Sequence, residues 1–162
     1  MALQGFWSTL ESLPLAAHIG ATWWFPLLES IHVLTAAFVV GSILMVDLRL
    51  LGLAARNHPV SRITREILGW SWAAFALALL TGLGLFITRA GHYAGNRAFQ
   101  IKVLLLLLAG LNMLLFHCLT TRDIERWDTA TALPKAVRLA GGCSLALWAG
   151  VMLAGRWIGH LS

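Results

Sequence analysis

Charge is what this chain has least of. Only 12% of its 162 residues are Asp, Glu, Lys or Arg, against 59% that are hydrophobic. That leaves almost nothing for a soluble domain beside the apolar runs, so the chain reads as one compact helical unit. Cysteine is nearly as scarce. Cys118 and Cys143 fall in the inner half of the expected bundle and read as free thiols packed like small apolar residues, so no structural disulfide is expected. There is no Cys-x-x-Cys, no Met-x-x-Met, no phosphate loop, no hydrolase triad and no zinc-site spacing. Low-complexity segments and clear repeats are missing too. The net charge of +5 would suit nucleic acid, but the basic residues sit at helix ends, where topology explains them better, and no nucleic-acid partner is expected.

The apolar runs themselves fix the class. A bilayer span needs about 20 mostly apolar residues, and stretches of that kind run roughly over Trp24–Val46, Ile67–Thr88, Ala98–Leu119 and Ala136–Ile158. The expected fold is an all-α, integral membrane four-helix bundle filling residues 1–162. The first loop carries Arg49, Arg56, Arg62 and Arg65, and the third carries Arg122, Arg126, Lys135 and Arg138. The positive-inside rule then places those loops in the cytoplasm and both termini outside. Ahead of the first span, Leu3, Phe6, Trp7, Leu10 and Leu13 follow helical spacing until Pro14 interrupts them. No basic n-region precedes them, so a short uncleaved helix lying on the outer surface is expected rather than a signal peptide.

Local signals fill in the connections. Pro26 suits the first turn of the first span. Asn57-His58-Pro59 is a turn, with Ser61 as the expected cap of the second span, and Gly91–Asn96 is another turn. Gly142, Ala146, Gly150 and Ala154 recur every fourth residue, as do Ala74, Ala78 and Gly82. Such small-residue stripes suit close packing within the bundle, with a homo-oligomer through the first stripe as the alternative. Trp23, Trp24 and Trp157 near one boundary, and Trp70, Trp72 and Trp127 near the other, read as interfacial anchors.

Ionisable residues at membrane depth are expensive and default to function. Glu29 and His32 share one face of the first span, and Asp47 returns to that side further along. Lys102, Asn112 and His117 occupy one arc of about 140° on the third span. Depth sorts these groups into two layers. Glu29 and Lys102 are expected to pair near the outer boundary, with His32 beside them and Arg89 and Arg156 approaching. Asp47 and His117, with Arg49 close by, are expected as a structural clasp at the inner boundary. His18, His58, His92 and His160 read as solvated.

The segments carrying these residues are His32, Gly41, Asp47-Leu-Arg-Leu-Leu-Gly52, Thr81-Gly-Leu-Gly84, Phe99-Gln-Ile-Lys102, Gly110-Leu-Asn112, Phe116-His117 and Gly155-Arg156-Trp157. Together they resemble a family of small, functionally uncharacterised four-helix membrane proteins from proteobacteria, over nearly the whole chain. More distantly, the chain is similar to HemJ-type protoporphyrinogen oxidases and to the membrane domain of CopD-type copper-resistance proteins. The HemJ-type resemblance implies haem b on His32, with Lys102 matching that family's embedded lysine. The chain lacks that family's Asn-Glu-x-Pro signature before the last helix, which leaves the oxidase reaction outside what the resemblance implies.

These readings converge on a bacterial inner-membrane, multi-pass protein with both termini periplasmic. Its expected function is haem- or porphyrin-associated redox or electron transfer. His32 would be the metal ligand, Glu29 its neighbour, Lys102, Arg89 and Arg156 would neutralise propionates, and a quinone or a redox protein would be the electron partner. No second histidine lies at the depth of His32. Copper handling is one alternative, thinly supported because Met45, Met113, Met152 and the cysteines are scattered. A non-catalytic accessory subunit of a membrane complex is the other. Beyond the lipid bilayer itself, composition names no partner.

Overall fold

The computed structural model of the chain describes residues 2–54, 59–119, 128 and 133–160, without the side chains of residues 2, 3, 63–65, 68, 117 and 119. It is all-α. The helices are α1 (Ala2–Glu11), α2 (Pro14–Ala21), α3 (Trp24–Leu50), α4 (Val60–Thr88), α5 (Ala90–Gly95), α6 (Arg97–Leu119) and α7 (Lys135–Trp157). Four of them, α3, α4, α6 and α7, are long and apolar enough to cross a membrane. At 1.5 Å per residue the 27 residues of α3 reach about 40 Å, longer than a hydrocarbon core of about 30 Å. The expected spans Ala98–Leu119 and Ala136–Ile158 match α6 and α7 to within one residue at each end, while α3 runs on past Val46 to Leu50 and α4 begins at Val60, ahead of Ile67. The expected N-terminal helix is two, broken where Pro14 takes the first turn of α2, and the expected turn at Gly91–Asn96 is mostly α5.

Each end of these helices has a local cause. Pro59 and Pro134 stand at the N-caps of α4 and α7, where a missing N–H costs nothing. Helix α3 stops at Gly52, whose φ of 73° is the left-handed conformation that favours glycine. Gly52 N donates to Arg49 O and Leu53 N to Leu48 O, the paired bonds that close a helix C-terminus. Asp-Leu-Arg-Leu-Leu-Gly is thus a helix-stop sequence in part. Asn96 begins α6: its side-chain oxygen accepts from Ala98 N and Phe99 N, and its Nδ2 donates to Ile158 O just past α7. One buried amide therefore ties two spans together at the end that carries both termini.

The packing order is α4, α3, α7, α6, with α3 at the centre against both α4 and α7. Side chains on the outward faces are apolar and bare, Leu34, Leu80, Leu107 and Leu139 each being at least 67% exposed. Such faces, on helices of this length, suit a lipid bilayer. Cys118 and Cys143 lie on these exposed faces rather than packed inside. Trp23, Trp24, Trp70, Trp72 and Trp157 are exposed as interfacial anchors should be. Trp127 lies outside the described residues.

The small residues work inside the bundle. A methyl at Gly82 would stand 3.0 Å from the His32 ring, and one at Gly150 3.0 Å from Leu105 of α6. The tightest approach is at Gly141, where a Cβ would stand 2.9 Å from Leu50 Cβ and 3.3 Å from the Asp47 carbonyl oxygen. Helix α7 buries Val137, Gly141 and Val151, with Val137 and Gly141 against Leu50 of α3, beside the stripe of Gly142, Ala146, Gly150 and Ala154.

At the opposite end, Asp128 does what Ser61 was expected to do. Its carboxylate accepts from both the backbone N and the hydroxyl of Ser61, capping the first turn of α4. Its carbonyl accepts from Val60 N and from the guanidinium of the fully buried Arg49.

Candidate functional site

The functional residues lie in two layers, but their partners differ from those expected. In the layer nearer the termini, His32 of α3 leans on α4. Its Nδ1 is 2.8 Å from the Ala78 carbonyl oxygen and 3.3 Å from Thr81 Oγ1. A carbonyl only accepts, so Nδ1 carries the proton and Nε2 is left as the acceptor. The Thr81 hydroxyl is itself spent on the Leu77 carbonyl, 2.8 Å away. Gly82 makes this possible, because the imidazole lies in the space a side chain there would fill. Ala78, Thr81 and Gly82 together cradle the ring: a small buried residue, a hydroxyl and a missing Cβ on one helix face.

Lys102 of α6 meets the other side of the ring, its Nζ 3.5 Å from His32 Nε2. Its stem lies along α7 in the gap left by Gly155, where a Cβ would stand 3.6 Å from Nζ. All four spans thus meet around one imidazole–ammonium contact. The expected Glu29–Lys102 ion pair does not form: among the described residues, the ion pair is Arg62–Glu66 on the surface of α4. Glu29 is exposed, one turn before His32, because its direction on α3 carries it off the face that meets α4 and α6.

Arg89 and Arg156 are exposed as well, at the rim rather than in the layer. Arg89 and Glu29 both act on Tyr93 in α5. Burial pushes the Tyr93 phenol above its ordinary value, Arg89 opposes the rise and Glu29 adds to it. Tyr93, Phe86 and Phe99 form an aromatic patch, with Phe86 and Phe99 stacked at 5.3 Å, and Trp7 of α1 meets Phe86 edge-on. Glu11 of α1 accepts from Gly91 N at 2.8 Å. Helix α1 therefore packs against α5.

In the other layer, Asp47 is 4% exposed and Arg49 fully buried. Asp47 pairs with Ser144 of α7 through a side-chain hydrogen bond, and its Oδ2 has no hydrogen-bond partner. The His117 side chain, expected to meet Asp47, lies outside the described residues. Asn112, on the same arc, donates to the Ala140 carbonyl of α7 at 3.1 Å. Ser144 is the site residue that sequence reasoning missed, and Thr81 stood only within the segment Thr81-Gly-Leu-Gly84, with no role given to it. Thr81 was legible beside Gly82, while Ser144 is one hydroxyl in an apolar helix, with nothing but its register to mark it.

Among the described residues, no group of three or more His, Cys, Asp and Glu could hold a metal ion. A haem ligand needs only one nitrogen, and here the test is specific. A backbone carbonyl on Nδ1 is the usual support of a ligating imidazole, fixing the ring and directing Nε2 outward. The cradle at Gly82 holds that ring. What stands at Nε2 is the Lys102 ammonium, 3.5 Å away, so in this structure that nitrogen faces a cation.

No curated protein and no solved structure matches the chain. A family model does match, over residues 15–161, nearly the whole length on which the resemblance to an uncharacterised family rested. The chain belongs to that family of unknown function, DUF6644.

Proposed function

We propose that this protein is a haem- or porphyrin-associated redox protein of the bacterial inner membrane, with His32 as the single protein ligand. One observation carries the reading. At membrane depth, an imidazole is held with Nδ1–H on a backbone carbonyl and Nε2 facing the Lys102 ammonium. A structural histidine would need neither the tautomer lock nor the lysine.

Each residue then has a task. Ala78, Thr81 and Gly82 hold the imidazole plane. Lys102 stands at Nε2, its stem seated in the groove at Gly155, and its ammonium would pair with a carboxylate edge of the bound group. Arg89 and Arg156 at the rim attract the anionic edge from solvent. The bound group supplies one-electron chemistry, and the protein sets its orientation and burial. The resemblance to HemJ-type proteins read in the sequence is the reason for preferring haem to copper, whose usual sulfur donors are scattered along the chain. The basic loops at the Asp128 end support the orientation with both termini periplasmic.

The test is the visible spectrum of detergent-purified protein, oxidised and dithionite-reduced, before and after adding haemin. Haem bands that His32→Ala abolishes are expected. A protein without bands under either condition leaves the accessory-subunit reading in place.

A further inference from the structure

Between the four spans, on the Asp47 side of the histidine layer, lies a cavity of about 300 Å³. Packed protein interiors hold few voids larger than a water molecule, and ligand pockets begin at about this size. The void exists because α4 packs on α3 and α6 on α7, while α4 and α6 are not a packed pair along this stretch. They come together nearer the termini, through the stacked Phe86 and Phe99. Trp72 of α4 and Met113 of α6 line the cavity and are 49% and 41% exposed, so they stand at a mouth that opens sideways toward lipid.

The walls are apolar and aromatic, including Phe75 and Trp148. Asp47 also lines this space, and its Oδ2 is buried without a hydrogen-bond partner. A buried acceptor left unpaired is costly, and natural structures satisfy nearly all of them. Asn112, on the facing helix, also lines the cavity; its Nδ2 is committed to Ala140, which leaves its amide oxygen as a second acceptor. A buried carboxylate oxygen without a donor, in an aromatic chamber, calls for a ring that donates O–H. The lipid-side mouth calls for one that dissolves in the bilayer.

We propose that this cavity binds a lipid-soluble hydroquinone, entering between α4 and α6, with a ring hydroxyl donating to Asp47 Oδ2. The site is separate from His32 and does not rest on the haem reading. Its upper wall reaches Val39 and Leu106, which follow His32 by two turns and Lys102 by one. A ring bound there lies directly beneath the histidine layer.

The probe is a decyl-substituted benzohydroquinone titrated into full-length protein in detergent, followed by tryptophan fluorescence, since Trp72 and Trp148 line the cavity. The control ligand is its dimethyl ether, which keeps ring and tail but donates no hydrogen bond. The hydroquinone should bind at least about tenfold more tightly than the ether, and Asp47→Asn should remove most of that difference. Gly110→Leu covers the case in which the Asp47 variant fails to fold. A Cβ at Gly110 meets nothing within 4 Å, and the residue lines the cavity, so leucine should fill the space and abolish binding of both compounds in a folded protein. Equal affinity for the two compounds, no saturable binding by wild type, or unchanged binding in Gly110→Leu would overturn the proposal.

Discussion

Replacing Gly82 by alanine tests the histidine cradle at its narrowest point. The new methyl would stand 3.0 Å from His32 Cε1 and 3.3 Å from Nδ1, closer than carbon atoms normally pack. The ring is the movable partner. Sliding it by a few tenths of an ångström stretches the 2.8 Å bond from Nδ1 to the Ala78 carbonyl. Overpacking of this kind costs about 1–3 kcal/mol, and a weakened buried hydrogen bond about 0.5–1.5 kcal/mol more. Against this, alanine is favoured over glycine within a helix by roughly 0.5–1 kcal/mol. The net expectation is a loss of about 1–3 kcal/mol. Gly110→Ala is the matched control, since its methyl meets nothing within 4 Å; it should gain up to about 1 kcal/mol. Unfolding in mixed detergent–SDS micelles, read by circular dichroism, measures both. If Gly82→Ala is as stable as Gly110→Ala, His32 does not lie against α4 as described.

Other expectations follow from the same geometry. Gly141→Ala should destabilise more than Gly142→Ala in the same assay, because the first methyl meets Leu50 Cβ at 2.9 Å and the second meets Leu51 at 3.8 Å. Asp128→Ala removes the cap that α4 takes from a distant part of the chain and should cost about 1–2 kcal/mol. Amide exchange should speed up at Ser61 in that variant, while a variant that leaves Ser61 protected would contradict the capping role. Lys102→Met removes the cation that would hold an anionic edge, so added haemin should bind more weakly to it than to wild type, without complete loss. Loss of all binding in Lys102→Met would instead make the lysine the anchor and the histidine a bystander. Cysteines placed at His92 and His58 should be labelled from the periplasmic and cytoplasmic sides respectively, and the reverse pattern would invert the proposed orientation.

Much of this fold was legible because each span is a single apolar run and each proline marks a helix start. Helix ends were less legible. Gly52 and Asn96 act through backbone geometry and capping bonds, and Asp128 caps a helix from far along the chain, which no local pattern announces. At the site, depth along the helix correctly grouped His32 with Lys102. Rotation about the helix axis decided the rest, turning Glu29 outward and leaving Lys102 to the histidine. The cavity was invisible in the sequence, because an absence of packing between α4 and α6 arises from how four helices pair rather than from any one of them. Ser144, through its bond to Asp47, belongs to that same arrangement.

The most direct measurement is the reduced-minus-oxidised visible spectrum of the purified protein and its His32→Ala variant, with circular dichroism as the check on folding. The account predicts haem-type bands in wild type and none in a variant whose helical content is unchanged. Bands that persist unaltered without the His32 imidazole would contradict it, as would a folded wild-type protein that neither carries nor takes up haem.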